Sequence, residues 1–200
     1  MKILDIVKKK IKNIIKKNIN YLTPTLVYES ILKIPIEKLK SMKIDTVLID
    51  LDNTLVPWNK RDVPKEIIDY LINLKKNGFK ICVVSNALPL RVKKITQELD
   101  IPYIAIAAKP STRPLRKAIK LLNSKIENTV IIGDQIFTDI LAGNRLGIKT
   151  ILVRPLANFE LITSKFVRLL EYIILQYIQK KQILSTKEGR NEEGDSMVIY

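Results

Sequence analysis

The sequence predicts an α/β fold, a parallel sheet of about five strands with helices on both faces. Short runs rich in Ile and Val alternate with longer amphipathic stretches through the middle of the chain. The runs are apolar at consecutive positions, which is typical of strands that are buried on both faces. Strands that alternate with helices are joined by right-handed crossovers, so the strands run parallel to one another.

The individual elements follow from the same pattern. Strands are predicted at about 44–50, 80–85, 103–107, 129–133 and 149–153. Between them, helices are predicted at about 63–77, 89–99, 112–123 and 137–146. Asn77 and Gly78 end the first of these helices, and Gly147 ends the last one with a left-handed cap.

Segments of different composition flank this predicted core, which covers residues 41–155. In the basic N-terminal segment 1–40, an isoleucine stripe over residues 2–20 lies among seven lysines. This pattern predicts an amphipathic helix, either lying in a membrane interface or packed on the domain with a solvated lysine face. Residues 156–184 predict a second amphipathic helix, which covers the sheet edge or contacts a membrane or a partner. The polar residues 185–200 predict a flexible tail.

The composition excludes several kinds of chemistry and favours anionic partners. There is no histidine, which excludes Ser–His and Cys–His catalysis and imidazole metal ligands. The single cysteine, Cys82, lies in an apolar run and is interpreted as a core residue in a reducing compartment. The net charge of +15 attracts either nucleic acid or an anionic membrane surface. Without a secretory signal or an apolar run of ~18 residues, we expect a cytoplasmic protein that is peripheral on the inner face of the membrane.

Polar side chains follow the predicted strands at the points where they end. Because the carboxyl ends of parallel strands meet at one edge of a sheet, these side chains are expected to form one site. Each of the first four predicted strands is followed by at least one such residue: Asp50 and Asp52, Ser85 and Asn86, Lys109, and Asp134.

These residue types suit chemistry on a phosphate group. Asp50 and Asp52 are two residues apart on an extended strand, so their side chains point the same way. One carboxylate can attack phosphorus while the other passes a proton to the leaving oxygen. Because carboxylate and phosphate repel, this scheme needs cations, which Lys109 and a Mg²⁺ ion held by oxygen ligands could supply. Asp134 can reach such a metal, and the Ser85 hydroxyl can donate to a phosphate oxygen near a helix N-terminus.

The motifs "DLDNT", "VVSN", "KP" and "GDQIFTD" resemble, in order and spacing, the four motifs of the haloacid dehalogenase superfamily of phosphohydrolases. The resemblance implies a Rossmann-like fold and an aspartyl-phosphate formed on Asp50. It implies that Asp52 acts as general acid and then as base. It also assigns the remaining roles: metal ligands Asp50, Asp134 and the backbone carbonyl of Asp52, phosphate-binding residues Ser85, Asn86 and Lys109, and supporting residues Asp139 and Thr54.

Each of these residues also has a purely structural interpretation. Capping of a strand end would explain Asp50 and Asp52, and capping of a helix would explain Asp134. Considered in isolation, Lys109 would be interpreted as a solvated surface lysine. Asp139 would be interpreted as a residue that interacts with a helix dipole. A last group stays open between substrate contact and local packing or hydrogen bonding: Thr54, Asn86, Arg91 and Trp58.

The spacing of the motifs predicts a site without a cap domain. Only 35 residues separate Asp50 from Ser85, and 24 separate Ser85 from Lys109. Neither interval can hold a separate domain, so the site is expected to be open to large substrates.

Two longer stretches carry a finer resemblance: "LIDLDNTLVPWN" and "GDQIFTDILAGNRLGIKTILV". They are similar to the bacterial YqeG-type proteins of subfamily IIIA. They are also similar to the phosphatidylglycerophosphate phosphatase family. This resemblance implies dephosphorylation of phosphatidylglycerophosphate to phosphatidylglycerol, a step of phospholipid biosynthesis, at an anionic membrane surface. Two alternatives stay open. One is a phosphatase of nucleotides or polynucleotide ends, and the other is a non-catalytic module that binds RNA or the ribosome. The aromatic content of 6% argues against base stacking and thus against nucleic acid.

Overall fold

The computed structural model of the protein describes residues 18–157 and 171–179, and its centre is a sheet of six parallel strands. In chain order the strands are β1 (Leu26–Tyr28), β2 (Thr46–Ile49), β3 (Lys80–Val84), β4 (Tyr103–Ile104), β5 (Thr129–Gly133) and β6 (Lys149–Val153). Their order across the sheet is β1-β6-β5-β2-β3-β4, so β2 lies near the middle with both neighbours parallel to it.

The α/β prediction is confirmed, and two details of the predicted sheet are wrong. The sheet has six strands instead of about five, because β1 adds three residues to its edge by pairing with β6. A three-residue strand inside a segment of helical pattern gives too short an apolar run to be found. The predicted strand 103–107 is only two residues long, because Ile106 and Ala108 adopt φ values of 47° and 50° and so turn the chain out of the sheet.

Four helices cover the sheet at the positions that the sequence pattern predicts, and one further short helix was not predicted. The bounds of the five helices are α1 (Ile36–Ser41), α2 (Lys65–Lys76), α3 (Pro89–Leu99), α4 (Arg113–Leu121) and α5 (Leu141–Leu146), of which α1 is the one not predicted. A π-helical turn, Ile136–Ile140, precedes α5 and replaces the first turn of the predicted helix. Gly78 and Gly147 both have φ of 84°, which confirms the predicted glycine ends of α2 and α5.

The hydrophobic core lies on both faces of the sheet. Along β2, Val47 and Ile49 face one layer and Leu48 faces the other, and all three side chains are fully buried. Cys82 is buried in the second layer, where burial raises its pKa to about 12. This placement confirms the interpretation of Cys82 as a core residue.

Helical residues near both ends of the chain pack together against the sheet. Residues 18–22 and 171–179 are helical, and they contribute Ile19, Ile174 and Ile178 to one buried cluster beside β6. The rest of the predicted lysine-rich helix, most of the second amphipathic segment and the predicted tail lie outside the described residues. Within residues 18–157 and 171–179, every helix is too short or too polar to cross a membrane.

Candidate active site

The carboxyl edge of the sheet gathers the polar residues that end the central strands. Asp50 follows β2, Ser85 follows β3, Asp134 follows β5, and Lys109 lies in the loop after β4. All four residues are buried to more than nine-tenths of their surface. Their meeting point is therefore enclosed by the loops that follow the strands.

Lys109 forms the centre of this cluster. Its Nζ donates to Asp50 Oδ1 at 2.6 Å, to Asp139 Oδ1 at 2.6 Å and to the Val84 carbonyl at 2.7 Å. All three protons of the ammonium group are thus used. Burial alone would lower the pKa of Lys109, but the carboxylates of Asp139 and Asp50 outweigh it and raise that pKa. Lys109 therefore stays charged inside the protein.

Three carboxylates surround that one ammonium group. Oxygen atoms of Asp50, Asp134 and Asp139 all lie within 4.8 Å of one another, close enough to hold a metal ion between them. Burial raises the pKa of Asp50 to about 8, and Asp139 and Asp134 add to this effect while Lys109 opposes it. When all three carboxylates are ionised, as a bound cation favours, they exceed the single ammonium charge by two. The chemistry of this donor set fits a hard divalent cation.

Asp139 reaches the cluster because of the turn that follows β5. The π-helical turn brings its carboxylate back toward the strand end, where Oδ2 accepts from the backbone N–H of Gln135 at 3.3 Å. A Cβ atom on Gly133 would overlap the Asp139 carboxyl group, so this position requires glycine. Sequence reasoning placed Asp139 in a supporting role, and the structure places its carboxylate in the cluster itself. Gly133, directly before Asp134, is the feature of the sequence that could have indicated this close approach of Asp139.

The side chain of Asp52 lies outside this cluster and pairs with an arginine. Arg91 Nη2 and Nε donate to Asp52 Oδ1 at 2.6 and 2.9 Å. The same guanidinium donates to the carbonyls of Pro57 and Lys60, so it fixes the loop that follows Asp52. Arg91, which the sequence left undecided, thus orients the predicted general acid. The predicted contact between a metal and the Asp52 carbonyl stays a prediction.

Asn86 and Ser85 hold the backbone around the cluster. The Asn86 amide accepts from the backbone N–H of Lys109 at 2.8 Å and donates to the Lys109 carbonyl at 3.3 Å. Ser85 Oγ accepts from the backbone N–H of Ala87 at 3.0 Å. Thr54 is buried, and its hydroxyl has no hydrogen-bond partner among the described residues. Contacts of these three residues with a phosphate group stay predictions.

Asn53 makes the tight turn that follows Asp52. Its φ is 64°, in the left-handed region that glycine adopts freely and asparagine tolerates better than most residues. Its Oδ1 accepts from the backbone N–H of Trp58 at 3.2 Å. Asn53 therefore makes the turn that glycine would make and also fixes the loop that carries Trp58.

A cavity of about 560 Å³ adjoins Asp134 on the side of β1 and β6. Val27 and Leu152 belong to its apolar wall, and Lys33 and Arg154 add positive charge. Sequence reasoning missed the role of Glu171, a buried wall residue from the helical residues 171–179. Its Oε1 accepts from the backbone N–H of Ile136 at 2.8 Å, two residues after Asp134.

The chain matches two family models over most of its central region. Residues 47–109 match the model described as haloacid dehalogenase-like hydrolase, and residues 106–155 match the one described as HAD-hydrolase-like. These ranges contain every strand-end residue of the site.

The chain is also similar to two curated proteins whose names describe phosphatases. The chain is 36% identical over 172 residues to "Probable phosphatase YqeG" of Bacillus subtilis, covering 86% of this chain and 93% of that protein. It is 24% identical over 135 residues to "Glyceraldehyde 3-phosphate phosphatase" of Pyrococcus furiosus, covering 63% of this chain and 56% of that one. A solved structure of a HAD-superfamily hydrolase from Ehrlichia chaffeensis aligns with a TM-score of 0.47 at 16% identity, over 68% of this chain and 98% of that one.

A parallel α/β sheet with this cluster at its carboxyl edge has the organisation of a phosphohydrolase. The chain belongs to the haloacid dehalogenase superfamily of phosphatases and, within it, to the YqeG-type family.

Proposed function

We propose that the protein is a Mg²⁺-dependent phosphomonoester hydrolase that acts through an aspartyl-phosphate on Asp50, with phosphatidylglycerophosphate as substrate. The observation that supports this most directly is the buried cluster of Asp50, Asp134 and Asp139 around the Lys109 ammonium group. A cluster with excess negative charge at this edge is costly unless cations and a ligand complete it.

In the proposed first step, a carboxylate oxygen of Asp50 attacks the phosphorus atom. The bond between phosphorus and the ester oxygen breaks, and that oxygen takes the proton of the Asp52 carboxylic acid. The products of this step are the free alcohol and a phosphoryl group bound to Asp50. The Arg91 guanidinium holds Asp52 for this proton transfer, since it bonds the carboxyl group at 2.6 Å.

In the proposed second step, Asp52 acts as a base. A water molecule attacks the phosphorus atom of the phosphoryl group and gives a proton to the Asp52 carboxylate. The bond between phosphorus and Asp50 breaks, which releases inorganic phosphate and restores both carboxyl groups to their starting states. Lys109, fixed by three hydrogen bonds, neutralises charge on Asp50 and on the transferring group throughout.

The carboxylates of Asp50 and Asp134 would hold the Mg²⁺ ion, with the backbone carbonyl of Asp52 as a further ligand and Asp139 beside them. When bound, this ion offsets the repulsion between the attacking carboxylate and the phosphate. The excess negative charge of the three buried carboxylates is the feature of the chain that supports its binding.

Three features support a lipid phosphate as substrate. The resemblance to the phosphatidylglycerophosphate phosphatase family is the first. The cavity of about 560 Å³ beside Asp134 is the second, because it offers space and apolar walls for the part of the substrate beyond its phosphate. The net charge of +15 is the third, since it draws the protein to an anionic membrane surface. We therefore propose that the protein acts as a peripheral enzyme on the cytoplasmic face of the membrane.

Phosphate release from phosphatidylglycerophosphate in mixed micelles with Mg²⁺ tests this proposal, with an aryl phosphate and a nucleotide as comparison substrates. We expect turnover of the lipid to be at least about tenfold faster than that of either comparison substrate. The Asp50→Asn variant should release no phosphate. Equal turnover of all three substrates would keep the mechanism and reject the lipid, and faster turnover of the nucleotide would favour the alternative substrate class. If the wild type hydrolyses none of them, the enzymatic proposal fails.

A further inference from the structure

Four large apolar side chains are exposed on the loops and on the first turn of α3, around one side of the site. They are Trp58, Leu88, Leu90 and Ile106, with exposed fractions of 41%, 70%, 85% and 60%. We call these four residues the apolar rim. Scattered exposed apolar residues are ordinary in soluble proteins, but a contiguous group of them marks an interaction surface.

Hydrogen bonds between the three segments hold the rim residues next to one another. The backbone N–H of Ile106 donates to the Ala87 carbonyl at 3.1 Å, directly beside Leu88. On the other side, Arg91 Nη1 donates to the Lys60 carbonyl at 2.9 Å, which ties the Trp58 loop to the start of α3. The four side chains therefore belong to neighbouring segments at the carboxyl ends of β2, β3 and β4.

The rim is surrounded by positive charge. The three rim segments are residues 57–62, 87–94 and 105–113. Their only acid is Asp62. Their exposed cations are Lys60, Arg61, Lys93, Lys94 and Arg113. Exposed apolar side chains among cations are typical of a surface that binds an anionic lipid interface.

We propose that the apolar rim inserts into the interface of an anionic phospholipid bilayer and turns the mouth of the active site toward the headgroups. The rim segments contain Lys109, begin two residues after Ser85, and bind Asp52 through Arg91, so a bilayer bound there would face the site. A second copy of the chain would bring the same cations against each other, and like charges oppose that contact. The part of this inference that concerns the substrate rests on the proposed function, whereas bilayer binding is a property of the rim itself.

Trp58 is a built-in probe, because it is the only tryptophan in the chain. The experiment adds the full-length protein to vesicles of equal parts phosphatidylglycerol and phosphatidylcholine and records Trp58 emission. We expect a blue shift, and quenching when the lipids carry brominated acyl chains. Vesicles of phosphatidylcholine alone should produce neither effect. If the protein sediments with the anionic vesicles while Trp58 emission stays unchanged, another part of the chain binds the membrane and the proposal is wrong.

A matched pair of double variants tests the leucines. Leu88→Ser with Leu90→Ser should weaken partitioning into the anionic vesicles by about tenfold or more, because two inserted leucines are lost. Ile72→Ser with Leu121→Ser removes two exposed apolar side chains from α2 and α4, outside the rim, and should leave partitioning unchanged. Thermal unfolding of both variants reports whether the fold is intact. Equal partitioning of the two variants would overturn the proposal.

The Asp50→Asn variant separates this inference from the proposed function. It should lose phosphate release and keep the Trp58 response to anionic vesicles. An active Asp50→Asn variant with an intact Trp58 response would reject the mechanism and leave the rim proposal standing. A Trp58 response that depends on protein concentration without lipid, or on added RNA instead of lipid, would replace the membrane with another partner and overturn the proposal.

Discussion

Asp45 and Asp50 lie at opposite ends of strand β2, and their surroundings differ in kind. Asp45 accepts hydrogen bonds from Thr46 Oγ1 at 2.7 Å and Ser124 Oγ at 2.9 Å, with the Asn128 amide at 3.3 Å. Burial would raise the pKa of Asp45, but these neutral donors and the charge of Lys80 lower it. Burial raises the pKa of Asp50 to about 8, and the neighbouring carboxylates of Asp139 and Asp134 add to this effect while Lys109 opposes it.

The difference shows how a structural carboxylate is distinguished from a functional one. The protein itself satisfies Asp45, with neutral donors and access to water. The Asp50 cluster holds more negative charge than its lysine balances, so it is complete only with an additional cation. The sign of the unbalanced charge, more than the number of acids, distinguishes the end of β2 at which we propose the active site.

Neutralising Asp50 should have the largest effect on activity. Asp50→Asn removes the proposed nucleophile, and we expect turnover to fall by at least about 10⁴-fold. The matched substitution Asp45→Asn, at the other end of the strand, should keep turnover within about twofold of the wild type. Steady-state rates of phosphate release check both. A strong loss of turnover in both variants would mean that the two ends of β2 do not differ in function.

Removing the ammonium group should have the largest effect on stability. Lys109→Met leaves Asp50 and Asp139 buried without their shared cation, and we expect a loss of about 3–5 kcal/mol in the free energy of unfolding. Lys80→Met, at the amino end of β3, removes an exposed lysine and should cost less than about 1 kcal/mol. Chemical denaturation of the two variants in the absence of metal provides the measurement. Similar losses in both would contradict the central role of Lys109.

The pH dependence of stability should reflect the raised pKa of Asp50. Because this pKa lies above its ordinary value of 3.8, its contribution is fully present below about pH 4 and is lost as the pH rises toward about 8. In the metal-free protein we expect a loss of several kcal/mol across that range. Asp50→Asn should flatten the curve, as measured by denaturation in buffers that contain a chelator. An unchanged slope in the variant would assign the effect to other groups.

Added Mg²⁺ should stabilise the cluster, because it balances the excess carboxylate charge. At a concentration about a hundred times its dissociation constant, a bound ion contributes about 2.7 kcal/mol, visible as a higher unfolding temperature. Asp134→Asn should remove most of this shift, whereas Asp45→Asn should keep it. A shift that survives in Asp134→Asn would place the ion elsewhere.

The smallest effect concerns Asp45 itself. Its lowered pKa means that its contribution to stability is present above about pH 4 and is lost as the pH falls further. Since the side chain is partly open to solvent, Asp45→Asn should cost below about 1 kcal/mol near neutral pH. The difference from the wild type should shrink steadily as the pH falls below about 4, in a denaturation series over acidic buffers. A difference that persists there would show that packing, not charge, is responsible.

The sequence predicted those features that depend on local pattern. Continuous apolar runs located β2, β3, β5 and β6, and the rule for parallel sheets placed Asp50, Lys109 and Asp134 at one edge. The strand β1 was missed because three half-buried residues leave no recognisable period. Contacts between distant residues were also out of reach: Arg91 meets Asp52 across 39 positions, and Glu171 meets Ile136 across 35. Such pairs depend on tertiary packing, which no local pattern contains.

The bond from Glu171 to Ile136 also bears on where the catalytic unit ends. A chain shortened to the last strand would keep every acid of the cluster and every family motif. It would lose the carboxylate that caps the first free N–H of the turn after Asp134, together with one wall of the adjoining cavity. The structural support of the proposed active site therefore extends beyond the family motifs, to the helical residues 171–179.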